Sequence, residues 1–275
     1  MVDMKYTVLM AVYKKEKAEY LNLAIKSMLE QTVTPDEFII VEDGILTKDL
    51  YKVIGYYKKS FPNLFKIISL KKNKGLGPAL AIGIQNSKNE LIARMDSDDF
   101  SVNTRCEKQL SKFKENPDLG IVGTYEVEFI GNINNEISVH RVPEKYEEIN
   151  KFMRRRCALL HPTVMYKKSI VQSCGNYHSV YLYEDYDLFS RMVFENNIKS
   201  YNIQEKLYYI RISEDFFKRR GGTNYLKTVV KFKWNQYRKG YMSITDFLIS
   251  GAGQACICLL PNKLRKIFYL KFLRK

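Results

Sequence analysis

The feature that most limits what this chain can fold into is an alternation, running from Tyr6 to Phe113, of short apolar runs with helical patterns. Tyr6 to Val12 (YTVLMAV) is almost wholly apolar, which suits a strand covered on both faces, as in a parallel sheet. Leu21, Ala24, Ile25, Met28 and Leu29 then recur at the spacing of one helix face. Phe38 to Val41 (FIIV) reads as a second buried strand, stopped by Glu42, Asp43 and Gly44. The cycle continues with a helix over 50–57, a strand over 65–70, a helix over 76–85, a strand over 91–93 and a helix over 107–113. Strands and helices at this spacing imply βαβ units. The expected class is α/β: a doubly wound, mostly parallel sheet flanked by helices.

From about Gly120 the alternation weakens. The run IVGTYEVEFIG suggests a strand that leaves the parallel sheet, 145–157 and 185–196 read as helices, and 206–212 reads as a strand. Beyond Arg220, helical stretches rich in Lys, Arg and aromatic residues form a basic C-terminal extension. The expected division is a main domain over 1–215 and a helical segment over 216–275.

A chain of 275 residues with 45% hydrophobic side chains can bury a real core, which excludes a disordered tail. Its net charge of +15 is unevenly spread. Residues 201–275 hold sixteen basic and four acidic side chains, a net of +12, so the first 200 residues carry only +3. The five cysteines are odd in number and lack the repeated CxxC spacing of a zinc site, and the three histidines are scattered. Reduced thiols in a cytosolic compartment are therefore expected. The apolar run near the N-terminus is too short for a signal segment, and no uninterrupted apolar stretch approaches the roughly eighteen residues of a membrane span.

In an open α/β sheet, ligands bind at the carboxyl ends of the strands. Those positions are Ala11 to Tyr13, Glu42 to Gly44, and Asp96 to Asp99. Within Asp96-Ser97-Asp98-Asp99, residues two apart point the same way in extended backbone, so Asp96 and Asp98 can converge on one ion. Oxygen ligands suit Mg2+ or Mn2+, whose shell substrate phosphates usually complete. A solvated turn capping the next helix would use the same residues. The segment Asn73-Lys74-Gly75-Leu76-Gly77-Pro78 fits neither the P-loop nor the GxGxxG spacing, yet its glycines ahead of a helix allow close approach of a ligand, and Lys74 can meet a phosphate.

Taken in order, MAVY after the first strand, IIVEDG after the second, NKGLGPAL, the DSDD cluster and Glu184-Asp185-Tyr186 resemble the inverting glycosyltransferases of family 2, which have the GT-A fold. The likeness covers about residues 5–215. Arg219-Arg220-Gly221-Gly222 and the tail LLPNKLRKIFY are similar to the bacterial subgroup that builds capsular polysaccharide and exopolysaccharide. The resemblance implies a nucleotide-sugar donor, most readily a UDP-sugar, bound through Ala11, Tyr13, Asp43, Lys74, Asp96 and Ser97. Ala11 stands where the family usually has Pro or Ser. It also implies Mn2+ or Mg2+ held by Asp98 and Asp96, with Asp185 as the base and Glu184 beside it. His161, Arg219 and Arg220 are the further acceptor-side candidates, the two arginines as a diphosphate clamp or as surface charge. Taken alone, Asp185 would read as a helix cap, and the other motifs favour the base; Arg191 could pair with a carboxylate or face solvent.

The basic C-terminal segment interleaves cations with Trp234, Tyr237, Tyr241, Phe247, Phe268, Tyr269 and Phe272, which suits a surface helix on anionic lipid. That would fit a polyprenyl-diphosphate-linked glycan acceptor and a cytoplasmic protein peripheral on the inner face of the membrane, as the resemblance implies. A solvated basic helix pair is the plain alternative. Two other functions use similar features. Nucleic-acid binding shares the basic, aromatic footprint, but no RNA or DNA motif is present. A sugar nucleotidyltransferase would carry a glycine-rich loop after the first strand, where AVYKKEK has no glycine.

Overall fold

The computed structural model describes residues 4–213 and 220–269. Strands β1 (Tyr6–Val12), β2 (Glu37–Glu42), β3 (Phe65–Ser69) and β4 (Leu91–Met95) are linked by helices α1 (Ala18–Leu29), α2 (Lys48–Ser60) and α3 (Leu76–Asn86). They pair in parallel in the order β3-β2-β1-β4. The chain steps outward from β1 to β3 and then returns to the other side of β1, which creates a switch point between β1 and β4. Side-chain alternation divides the core. Tyr6, Val8 and Met10 pack with Leu21, Ile25 and Leu50 of α1 and α2, whereas Leu9, Ile39 and Val41 pack with Leu80 and Ile84 of α3. Burial of both faces explains why these strands read as continuous apolar runs.

The second half is mixed. It comprises β5 (Phe100–Ser101), α4 (Arg105–Glu115), β6 (Leu119–Phe129), β7 (Glu136–His140), α5 (Tyr146–Met153), β8 (Met165–Lys167), α6 (Lys168–Ser173), α7 (Glu184–Ser190) and β9 (Lys199–Arg211). The three-residue β8 runs antiparallel between β4 and β6, and β6 pairs in parallel with β9. The sheet is therefore parallel on one side of β8 and mixed beyond it. The helix expected over 145–157 ends at Met153, and the one expected over 185–196 changes at Arg191 into a π turn, Arg191–Glu195. The strand expected over 206–212 begins earlier, at Lys199, because β6 offers it a long parallel edge. All five cysteines are free thiols.

The C-terminal segment forms α8 (Thr223–Arg238), α9 (Ile244–Leu259) and α10 (Asn262–Phe268). Helix α8 is fastened to the main core by Phe232, which stacks on Tyr183 at 4.2 Å and tilts against Tyr186 at 5.2 Å. Ser243 and Asp246 cap α9 reciprocally. Among the described residues no helix is long and apolar enough to cross a membrane.

Helix α3 approaches the sheet at Gly83, where a Cβ would lie 2.2 Å from Leu9 Cδ1 and 3.2 Å from Val41 Cγ2. Alanine gains about 1 kcal/mol of helix propensity over glycine, but overpacking costs roughly 1–3 kcal/mol. Both contacts lie in a strand-backed core that cannot yield easily. We expect Gly83→Ala to lower the unfolding free energy by a net of about 1 kcal/mol, read as a lower urea midpoint; an unchanged or higher midpoint would show that α3 can shift.

Candidate active site

The carboxyl ends of β1, β2 and β4 open into a cavity of about 450 Å3 lined by Ala11, Tyr13, Asp43, Asp96, Ser97 and Asp98, with Glu16, Gly75 and Leu76 completing its wall. The local backbone makes this shape. Gly44 has φ of +89°, and a Cβ there would sit 2.7 Å from the backbone N of Asn73. The tight turn lets the Asp43 carboxylate accept the backbone N–H groups of Lys74 at 2.6 Å and Gly75 at 3.0 Å. Asp43 thereby pins the segment ahead of α3. Lys74 reaches the site through its backbone; its side chain is exposed and lies outside the cavity lining.

Four acidic side chains crowd this end of β4. Asp96 pairs with the fully buried Arg94 at 2.5 Å. Asp98 has no paired cation among the described residues, and burial, followed by the charges of Asp96 and Glu16, pushes its pKa up to about 7. Glu16 accepts the Ser97 hydroxyl at 2.9 Å, and burial raises its pKa too. Asp99 is tied into the scaffold, accepting from Tyr208 Oη at 2.9 Å and from the Arg211 N–H at 2.8 Å. Among the described residues no three His, Cys, Asp or Glu groups form a ready metal cage. Two hard oxygen donors with excess negative charge nevertheless fit a divalent ion such as Mg2+ or Mn2+, which needs only one or two protein carboxylates when substrate phosphates fill the remaining positions.

A second cavity, of about 350 Å3, is lined by Asp185, His161, Arg156, Lys233 and Arg220 among others. Between the two lies a concavity of about 290 Å3 that shares Asp96 and Asp98 with the first and Ile210, Arg220 and Tyr225 with the second. The acidic turn and Asp185 thus lie along one continuous cleft. Asp185 lies in the first turn of α7, accepts the N–H of Tyr186 at 2.7 Å, and has its pKa raised by burial. Glu184 turns elsewhere: its side chain lies against Gly77 at the start of α3, outside the lining of the Asp185 cavity, with a pKa raised to about 7 by burial and by Asp185. His161 is buried, bonded to Tyr177 Oη at 2.8 Å and held neutral by desolvation. Arg220 lines both the joining concavity and the second cavity, whereas Arg219 falls outside the described residues. Arg191, at the start of the π turn, pairs with Asp187 of α7.

Three residues of the site escape a reading of the sequence. Arg94 was discoverable, because a charge inside the buried run LIARM must find a carboxylate. Its Nε and Nη1 atoms have no hydrogen-bond partner among the described residues. Glu16, within YKKEK, looks like a solvated loop charge, and Lys233 looks like one more cation of a surface helix. Nothing local marks either.

The sequence pattern of the family described as glycosyl transferase family 2 matches residues 7–175. An Escherichia coli UDP-Gal:alpha-D-GlcNAc-diphosphoundecaprenol beta-1,3-galactosyltransferase is 35% identical over 271 residues, covering 98% of this chain and 97% of the relative. The amylovoran biosynthesis glycosyltransferase AmsE of Erwinia amylovora is 32% identical, covering 97% and 98%. Among solved structures, the mannosyltransferase PcManGT from Pyrobaculum calidifontis, in complex with GDP-Man and Mn2+, superposes with a TM-score of 0.63 at 11% identity, over 91% of this chain and 69% of that one. S. aureus TarS 1-349 in complex with UDP-GlcNAc superposes with a TM-score of 0.60 at 16% identity, over 82% and 65%. With the pattern match spanning more than half of its length, and two full-length relatives above 30% identity, this chain is a glycosyltransferase with the GT-A fold and belongs to glycosyl transferase family 2.

Proposed function

We propose that the protein is a metal-dependent, inverting glycosyltransferase that moves a sugar from a UDP-sugar to a lipid-diphosphate-linked glycan during cell-surface polysaccharide synthesis. The observation that carries this reading is the continuous cleft in which Asp96 and Asp98 stand at one end and Asp185 at the other. The donor's nucleotide occupies the first cavity, with Tyr13 offering an aromatic face to the base and Asp43 fixing the loop beside it. Asp98 and Asp96 hold the divalent ion, which when bound neutralises charge on the departing diphosphate. Asp185 takes the proton of the acceptor hydroxyl as its oxygen bonds to the anomeric carbon and the bond from that carbon to the diphosphate oxygen breaks. Displacement in one step inverts the anomeric centre. A raised pKa suits a carboxylate to this task, because a stronger base accepts the proton more readily.

The acceptor assignment draws on the galactosyltransferase relative, whose name gives a diphosphoundecaprenol-linked acceptor, and on α9. The inner side of that helix contributes Gln254 and Ile257 to the Asp185 cavity. Its outer side exposes Leu248, Ile249, Ala252, Cys256 and Leu259, and α10 adds exposed Leu264 and Ile267 with Lys263 and Lys266. An apolar face edged with lysines is the chemistry of a helix lying on anionic lipid. The protein then works at the cytoplasmic face of the membrane, where a lipid-linked acceptor is presented. Nucleic-acid binding and nucleotidyl transfer lose their footing once the chain is placed in this family.

Calorimetric titration with UDP, GDP and dTDP, with and without Mn2+, tests the donor reading. We expect UDP to bind with a marked gain from Mn2+; folded protein that binds none of the three refutes it. Asp98→Asn should weaken metal-dependent UDP binding at least tenfold, by about the strength of one charge-assisted contact. Chelation should abolish transfer, and added Mn2+ or Mg2+ should restore it.

Asp185→Asn should lower kcat by about 10³ while leaving UDP affinity unchanged; near-normal transfer by this variant removes the base assignment. The active form is the deprotonated one and its pKa is raised. Activity should therefore fall on acidification at a higher pH than an unperturbed aspartate would give, and be retained above it. In flotation assays, the protein should follow vesicles containing anionic lipid, and Leu248→Glu with Ile249→Glu should leave it in solution; equal flotation of that variant refutes the role of α9.

A further inference from the structure

Within the cavity beside Asp185 the distribution of positive charge is unusual for a protein interior. Lys233 of α8 is only 6% exposed, its Nζ donates to the backbone oxygen of Arg155 at 3.0 Å, and among the described residues no carboxylate lies within 4.0 Å of it. Burial alone pulls its pKa down to about 8. A buried ammonium with no counter-ion is costly, and a protein keeps one where a ligand brings the missing charge. Arg156 lies on the same wall. Its Nη2 meets His140 Nε2 at 2.8 Å, and His140 Nδ1 meets Glu126 Oε1 at 2.9 Å. With the arginine donating to Nε2, the imidazole proton sits on Nδ1 and is given to Glu126, so the chain orients the guanidinium. Arg155 is engaged differently: its Nε binds Asp246 at 2.6 Å and locks α9 to the loop after α5.

We propose that Lys233 and Arg156 form an anion subsite that holds the diphosphate of the acceptor, with the acceptor sugar directed toward Asp185. The inference rests on the reading above that this cavity is the acceptor's. It is separate from the place of the donor diphosphate, since neither residue lines the nucleotide cavity or the concavity that joins the two. Size agrees: about 350 Å3 accommodates a sugar and a diphosphate. The exit is consistent as well, because the helix that closes one side of this cavity, α9, turns its apolar face outward, where the lipid chain would leave. The subsite makes the acceptor's diphosphate a recognised element of the substrate and not merely its tether.

The test uses the full chain and three probes: a hexosyl diphosphate with a short alkyl chain, the alkyl glycoside of the same hexose without the diphosphate, and inorganic pyrophosphate. Wild-type protein should bind the hexosyl diphosphate at least tenfold tighter than the glycoside, and pyrophosphate should compete with it. Lys233→Met, which keeps the length and removes the charge, and Arg156→Gln should each lose about tenfold of that preference, the strength of one charge-assisted hydrogen bond, while UDP binding in the presence of Mn2+ stays as in wild type. Variants that keep the preference, or wild-type protein that shows none, overturn the subsite. If Lys233→Met does not fold, Arg156→Gln decides, since Arg156 is only half-buried on a loop. Pyrophosphate that binds without the hexosyl diphosphate doing so marks a free-phosphate site and overturns the proposal. Failure of the functional reading shows separately, as absence of UDP binding in the same preparation.

Discussion

The structure is organised around the problem of holding several carboxylates together at the end of a buried strand. Asp96, Asp98 and Asp99 follow β4 directly, and Glu16 leans in from the loop after β1. Left alone, such a cluster would expel itself into solvent or take up protons. The fold answers in three ways. Asp99 is bound by Tyr208 and by the backbone of Arg211 in β9, Asp96 is paired with Arg94 inside the sheet, and Asp98 is left with its charge unanswered. Among the described residues only Asp96 of this cluster has a paired cation, and Asp98, which lacks both a cation and the scaffold bonds of Asp99, faces the cleft beside it.

Seen from this cluster, the long strand β9 has a purpose beyond sheet-building. Tyr208 reaches Asp99 and also accepts the N–H of Asp96 at 3.1 Å, and Arg211 donates through Nε to the Asp98 backbone oxygen at 2.9 Å. Arg211 in turn lies over the rings of Tyr20 and Phe129. The conformation of the acidic turn is therefore set jointly by the first half of the chain, which supplies it, and by the last strand, which clamps it.

The first half of this fold is legible in the sequence because its strands are covered on both faces and its helices carry one apolar stripe, so local pattern and tertiary burial say the same thing. Asp96 and Asp98 do line one cavity, but the extended backbone expected between them is a turn at Ser97 and Asp98, so the pairing comes from that turn and not from strand alternation. The second half resists such reading. Its antiparallel insertion depends on β8, only three residues long, and β5 has two, too short for any periodicity to register. The site shows the same split. Tyr13, Asp43 and Asp185 fall in recognisable motifs, whereas Glu16 and Lys233 acquire their importance only from what packs against them, and a charged residue in KKEK or KFKW carries no local sign of its burial. Lys74 shows the converse: Asp43 holds its backbone N–H while its side chain stays exposed, and no side-chain preference can reveal that.

The bond between Asp43 and the segment ahead of α3 has a consequence for how chain length can drift in this fold. Both oxygens of one carboxylate grip consecutive amides that lie 31 and 32 residues further along the chain. Adding or deleting a residue between Asn73 and Leu76 would move these amides out of reach and reshape the cavity at the ends of β1, β2 and β4 in a single step. The turn joining β6 to β7 stands in contrast: Gly131 has φ of +70° and open space around it, and the residues beyond it are largely exposed. Gly131 itself accepts from the Arg211 guanidinium at 2.7 Å, so insertions are best tolerated beyond it, in the largely exposed stretch 132–135. Length variation among proteins of this architecture should therefore collect in that hairpin, with the β3–α3 connection kept at constant length by a single acidic side chain.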